Sequence, residues 1–215
     1  MKINKYIDHT YLKAFGGEDV IRKLCSEAKE YDFKTVCVNP YYIGLAKELL
    51  KGSDVLVCTV IGFPLGQNTT EVKVFETLDA IKKGADEIDM VINVAALKDK
   101  KYDYVQNEIS SIKKACGDKL LKVIIETCYL TEEEIEIASK LSLNAKADYV
   151  KTSTGFGTAG AKVKNVCIMK SIVKENALVK AAGGINTYDE AKAMIDAGAS
   201  RIGTSHGVEI VKGDK

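Results

Sequence analysis

Apolar positions along this chain follow two rhythms that alternate from end to end. Short runs that are apolar at nearly every position fall at 35–38, 54–62, 88–94, 120–126, 149–152, 178–182 and 201–205. They predict seven strands of the kind buried on both faces in a parallel sheet. Longer stretches with helical spacing separate them, as in Val20, Ile21, Leu24, Ala28 and Tyr31 of a helix over 18–31. Asn39-Pro40 predicts an N-cap and first-turn proline for a helix to about Lys51, with Gly52 as its stop. Asn68 with Glu71, Thr131 with Glu134 and Thr187 with Glu190 have capping-box spacing, opening helices that run to about 83, 143 and 197. Further helices are expected over 103–116 and 164–176, and a short tail follows the last strand.

A weaker apolar segment at 6–11 offers an eighth strand. Eight strand–helix units in 215 residues fit a (β/α)8 TIM barrel better than an open doubly wound sheet. No linker-like stretch divides the chain, so residues 1–215 are expected to form one barrel domain with a short N-terminal segment.

A faint repeat orients the strands. Gly84-Ala85-Asp86, Lys146-Ala147-Asp148 and Gly198-Ala199-Ser200 mark three helix-to-strand junctions, and four residues past each alanine stand Asp89, Lys151 and Gly203. Because strand side chains alternate, equal offsets from equivalent turns point the same way. Asp89 and Lys151 are expected to face inward at similar height, near the C-terminal mouth where barrel sites lie. Ile88, Val150 and Ile202 should then face the helices.

Composition narrows the function. Net charge is +1 with acids and bases interspersed, which argues against a nucleic-acid surface or an anionic-membrane footprint. The N-terminus lacks a signal-peptide run, and no segment reaches the length of a membrane span. Cys25, Cys37, Cys58, Cys116, Cys128 and Cys167 show no Cys-x-x-Cys spacing and read as reduced thiols of a cytoplasmic protein. His9 and His206 are the whole histidine complement, too few for a histidine metal cluster, so no metal and no other cofactor are expected. The composition leaves a homodimer open.

The chemistry centres on two lysines that end apolar strands and precede glycine loops, Lys151 before Gly155-Phe156-Gly157 and Lys180 before Gly183-Gly184. A buried ammonium is costly. Two of them about 6 Å apart repel by roughly 3 kcal/mol at an effective dielectric of 20, which favours one neutral amine near pH 7. Lys151 is the expected nucleophile toward a carbonyl, and Asp89 the carboxylate within proton reach. The plainer alternative for Asp89 is a salt bridge to Lys180, and for both lysines ion pairing inside the barrel. Lys122 lies early in its strand, where an interior ion pair is expected. Backbone N–H groups of the glycine loops, with Ser205 in Gly203-Thr204-Ser205, could hold a phosphate after strands 7 and 8. Gly155-Phe-Gly157-Thr-Ala-Gly160 matches G-x-G-x-x-G, but its helix starts too late for a dinucleotide site.

The segments Ile7-Asp8-His9-Thr10-x-Leu12-Lys13, Val36-Cys37-Val38-Asn39-Pro40, Gly62-Phe63-Pro64-x-Gly66, Glu87-Ile88-Asp89-Met90-Val91-Ile92-Asn93, Leu121-Lys122-Val123-Ile124-Ile125-Glu126-Thr127, Val150-Lys151-Thr152-Ser153-Thr154-Gly155-Phe156, Lys180-Ala181-x-Gly183-Gly184-Ile185 and Gly203-Thr204-Ser205 together resemble the deoxyribose-phosphate aldolases, class I aldolases of the (β/α)8 fold. The resemblance implies reversible cleavage of 2-deoxy-D-ribose 5-phosphate to D-glyceraldehyde 3-phosphate and acetaldehyde, without metal or cofactor. It implies Lys151 as the Schiff-base lysine, Lys180 as the lysine that tunes it and Asp89 as proton relay. Asp8, Thr10, Cys37 and Thr152 resemble residues of the substrate site, and Gly155, Gly183, Gly184, Gly203 and Ser205 a phosphate cradle. Two departures stand at the phosphate end: Asn186 where the family often has arginine, and His206 within a sequence that is often Ser-Ser-Gly. A sugar-phosphate-binding barrel without catalysis and a sugar-phosphate isomerase are the competing readings.

Overall fold

A computed structural model describes residues 3–213. After a single turn at Ile3–Tyr6, eight parallel strands close a barrel in sequence order: β1 (Ile7–Tyr11), β2 (Thr35–Val38), β3 (Leu56–Ile61), β4 (Glu87–Val91), β5 (Leu120–Ile124), β6 (Tyr149–Lys151), β7 (Leu178–Ala182) and β8 (Arg201–Thr204). The (β/α)8 expectation holds, and the weak N-terminal strand is what closes it. Asp8 of β1 pairs with Thr35 on one side and Gly203 on the other.

Helices α1 (Glu18–Glu30), α2 (Ile43–Leu49), α3 (Thr70–Lys82), α4 (Val94–Lys98), α5 (Tyr102–Cys116), α6 (Glu132–Asn144), α7 (Val163–Val173), α8 (Tyr188–Asp196) and α9 (Gly207–Lys212) wrap the strands. The apolar core lies between strands and helices and includes Ile88, Val150 and Ile202, as the alternation requires. The capping boxes of α6 and α8 form as expected, each with threonine and glutamate bonded reciprocally to the other's backbone.

Other boundaries differ for identifiable reasons. Asn39 caps nothing; its amide donates to the Leu12 carbonyl, and residues from Pro40 first make a tighter turn before α2 begins at Ile43. Thr69, not Asn68, caps α3, accepting from the Val72 N–H. Strand β5 ends two residues earlier than its apolar run because Glu126 turns into the left-handed region at φ 53°. Helices α4 and α9 had no periodic signal; α4 is held by an Asn93 cap to the Ala96 N–H.

A second polar layer ties helices to the mouth. Lys73 of α3 is fully buried, donating to the Val91 carbonyl at 2.9 Å and to Glu108 of α5 at 2.7 Å. Glu108 accepts from the Asn93 N–H at 3.1 Å, and Glu76 from the Gly62 N–H at 2.8 Å. The loops after β3 and β4 are thus fixed by side chains from behind.

Candidate active site

Inward-pointing positions of the barrel carry charge where most barrels carry aliphatic layers. Four cations (Lys122, Lys151, Lys180, Arg201) meet three carboxylates (Asp8, Glu87, Asp89), all of them buried. Asp89 is the hub. Its Oδ2 accepts from Lys151 at 2.7 Å and from Lys180 at 2.8 Å, and its Oδ1 accepts from Lys122 at 2.8 Å. Lys122 also reaches Glu87 at 2.6 Å, Lys180 reaches Asp8 at 2.5 Å, and Arg201 bridges Asp8 and Glu87.

The partners are shared unevenly. Lys122, Lys180 and Arg201 each hold two carboxylates, while Lys151 has one, and only an oxygen it divides with Lys180. Lys151 is also the lysine of the three whose side chain is not fully enclosed, at 4% exposure against 0% for the other two. With every group ionised the cluster carries one positive charge too many in a low-dielectric interior. Lys151 is the outermost amine of the cluster and the one with the fewest carboxylate partners.

The electrostatics follow the geometry. Burial alone would push the Asp89 carboxyl up, but Lys122, Lys151 and Lys180 outweigh it and hold it well below the usual carboxylate range. Asp8 is depressed against burial by Lys180, Arg201 and Lys122. Burial disfavours the Lys180 charge, yet Asp8 and Asp89 raise its proton affinity above that of a free lysine. The expectation from the sequence, two bare ammonium groups in mutual repulsion, is therefore corrected. Lys180 is neutralised in part, and what acts on Lys151 is the net charge of a network.

The heights expected from the repeat hold. Asp89 pairs in register with Lys122, and Lys122 with Tyr149, two residues before Lys151. In a tilted barrel whose register shifts by about one residue per strand, that offset over two strands puts Asp89 and Lys151 in one inward-facing layer. The interior ion pair expected for Lys122 is present, but it joins the same carboxylate as Lys151 and cannot be treated as remote from the site.

Above the cluster opens a cavity of about 190 Å³, walled by the loops after β1, β6, β7 and β8. Thr10, Lys151, Gly155, Gly183, Gly184, Gly203 and Ser205, all expected at the site, line it together. Asp89, Lys180, Asp8, Cys37 and Thr152 do not. Asp8 is spent on Lys180 and Arg201, and the Thr152 hydroxyl bridges β6 to the Ala182 carbonyl and N–H of β7. Cys37 is fully buried beside Cys58, whose hydrogen bond lowers its thiol pKa against burial. All three are buried and stand outside the cavity wall.

Two glycines are dictated by the backbone. Gly183 (φ 84°) and Gly184 (φ 73°) line the cavity in a conformation other residues rarely adopt. Gly160, part of the dismissed dinucleotide motif, serves packing: a Cβ there would lie 2.1 Å from the Gly183 oxygen, and Ala161 donates to that loop. Gly203 leaves room for Lys180, whose Cε would stand 3.2 Å from an added Cβ.

Sequence reasoning missed Glu87, Arg201, Glu126 and Lys13. Glu87 and Arg201 stand two residues before Asp89 and Gly203, so the same alternation places them inward. Glu126 is buried and accepts from the Thr154 N–H at 3.3 Å and from the Thr154 hydroxyl, which in turn accepts from the Phe156 N–H at 2.9 Å. This chain orders the loop directly after Lys151. Glu126→Ala is expected to cost about 1.5–3 kcal/mol of stability and to speed hydrogen exchange at the Thr154 and Phe156 amides. Unchanged protection of those amides would contradict the assignment.

Two donor groups, Cys37–Cys58–Asp89 and Asp8–Cys58–Glu87, have metal-ligand spacing. Their carboxylates are already engaged by the four cations, so the donor set fits an ion-pair core better than a divalent ion.

Comparison with known proteins places this geometry in a family. The DeoC/LacD family aldolase model matches residues 3–213. A deoxyribose-phosphate aldolase of Brevibacillus brevis is 59% identical over 215 residues, covering 100% of this chain and 97% of the relative. One of Malacoplasma penetrans is 58% identical over 214 residues, covering 100% and 96%. Among solved structures, the aldolase QR15 superposes with a TM-score of 0.95 at 44% identity, covering 99% of this chain and 95% of that one. The tetrameric deoxyribose phosphate aldolase of Aeropyrum pernix gives a TM-score of 0.91 at 34% identity, with 98% and 89% covered. The chain belongs to the DeoC/LacD aldolase family.

Proposed function

We propose that the chain reversibly cleaves 2-deoxy-D-ribose 5-phosphate to D-glyceraldehyde 3-phosphate and acetaldehyde through an imine on Lys151. The observation that carries this reading is the position of the Lys151 amine, the one cation of the buried network that reaches the cavity and the one with a single, shared carboxylate. A neutral amine there attacks C1 of the open-chain sugar, and loss of water gives an iminium. The iminium draws the electrons of the C2–C3 bond into an enamine while the C3 hydroxyl gives up its proton, releasing the phosphorylated aldehyde. Protonation of the enamine at C2 and hydrolysis return acetaldehyde and the free lysine.

Asp89, ionised in the resting protein, accepts protons and passes them between substrate and Lys180. Lys180 keeps positive charge beside the amine. Thr10 and Ser205 line the sugar-phosphate path, with Gly155, Gly183, Gly184 and Gly203 shaping its phosphate end. Asp8, Cys37 and Thr152 hold these groups in place from beneath. No metal or cofactor enters the scheme. The test is release of acetaldehyde from 2-deoxyribose 5-phosphate, read with an NADH-linked alcohol dehydrogenase. Turnover in the presence of a chelator is expected, and no turnover by folded protein would refute the reading.

We take residues 1–215 as one catalytic barrel. Among the described residues no helix is long and apolar enough to cross a membrane, and all six cysteines are free, which supports a reducing, cytoplasmic setting. A homodimer is the assembly we favour, because α3 exposes Val72, Phe75 and Leu78 on one face. Sedimentation equilibrium at micromolar concentration should give twice the chain mass, and a monomer would contradict it.

A further inference from the structure

Lys13 is a charge without a counter-charge. Among the described residues it makes no ion pair, and its ammonium rests 5.9 Å from the centroid of the Phe15 ring, which is itself 82% exposed. A cation–π contact that open to water is weak and easily exchanged. Yet Lys13 lines the same cavity as Lys151, together with Thr10, Gly184 and Ser205. That wall contains no acidic residue, and its two cations are Lys13 and Lys151. Lys151 is bonded to Asp89 and, on the aldolase reading, is spent on the carbonyl.

We propose that Lys13 supplies the positive charge that binds the substrate's phosphate and thereby sets the preference for phosphorylated over unphosphorylated sugars. This rests on the aldolase reading above and adds a residue to it. The glycine loops and Ser205 offer neutral donors, and Asn186, on the same wall, is neutral as well. A dianion leaving water needs more than neutral N–H groups, because charge-assisted hydrogen bonds are roughly twice as strong as neutral ones. The topology brings the charge to the right place. Strand β1 pairs with β8, Asp8 opposite Gly203 and His9 opposite Thr204, so the loop carrying Lys13 rises beside the loop carrying Ser205. The flexible lysine stem lets the ammonium leave Phe15 for the anion without moving the backbone.

The experiment compares kcat/KM for 2-deoxyribose 5-phosphate with that for 2-deoxyribose in wild type, Lys13→Ala and Lys13→Arg. One charge facing a dianion at contact distance in water predicts that the phosphate preference falls on the order of 10- to 50-fold in Lys13→Ala, through KM rather than kcat. Lys13→Arg should keep most of it, and added salt should erode the preference less in Lys13→Ala than in wild type. A preference unchanged within about twofold, or a loss in Lys13→Arg as large as in Lys13→Ala, overturns the proposal. Calorimetric binding of inorganic phosphate reads the same residue without turnover: weaker binding to Lys13→Ala supports it, and equal binding refutes it. A wild-type protein that cleaves neither sugar would refute the aldolase reading while the phosphate titration still decides the role of Lys13.

Discussion

Replacing Asp89 by asparagine is expected to destabilise the barrel by about 3–5 kcal/mol, the range for removing one partner from a buried ion network. The amide keeps the shape but leaves four buried cations facing Asp8 and Glu87 alone, with Lys122, Lys151 and Lys180 all deprived of the same acceptor. Against a total stability of about 5–15 kcal/mol this is a large fraction, to be read from urea denaturation. The pH dependence has a definite sign. Asp8 and Asp89 are depressed, so their contribution is complete above the ordinary carboxylate value near 4 and is lost only as pH falls through their lowered values. Lys122 and Lys180 are raised, so theirs is complete below about pH 10 and lost as pH rises through their raised values. The part of the Asp89→Asn penalty that comes from Asp8, Lys122 and Lys180 should therefore be complete at pH 6. A penalty under about 1 kcal/mol would show that the network is far better solvated than its burial implies.

Lys180→Leu separates stability from chemistry. Leucine fills much of the lysine stem's space, Asp8 keeps Arg201, and Asp89 keeps Lys122 and Lys151, so every carboxylate retains a partner. The network becomes electrically balanced, three cations to three carboxylates, and the net positive charge beside the cavity-facing amine disappears. The alkaline-going limb of the pH–rate profile should move up by roughly two pH units, the equivalent of one charge about 6 Å away at an effective dielectric of 20. Activity at pH 7 should fall about 100-fold and recover in part at pH 9. An unshifted profile would mean that Lys180 acts only through proton transfer or packing.

Much of this was legible because strands alternate with period two. Equal offsets from three similar turns put Asp89, Lys151 and Gly203 on the inner face, and the glycine loops after β6, β7 and β8 marked the mouth. Partner identity was not legible. Glu87 and Arg201 lie on the same inner face, but a lone acid or base in an apolar run has no sequence signature for pairing across the barrel. Stagger between strands, which sets Lys122 beside Asp89 on the neighbouring strand, is a property of closure and leaves no local trace. Asp8, Cys37 and Thr152 were expected against substrate because their segments match the family; which of a segment's residues reach the cavity depends on depth in the barrel. Lys13 escaped notice because an exposed lysine in a loop looks like any other until the cavity beside it is seen.

The central claim is a covalent bond at one nitrogen, and reductive trapping measures it directly. Wild-type protein treated with acetaldehyde and borohydride should gain one ethyl group, located by peptide mass spectrometry on Lys151, with Lys122 and Lys180 untouched. Folded protein in which Lys151 stays unmodified while another lysine, or none, carries the label would contradict the account.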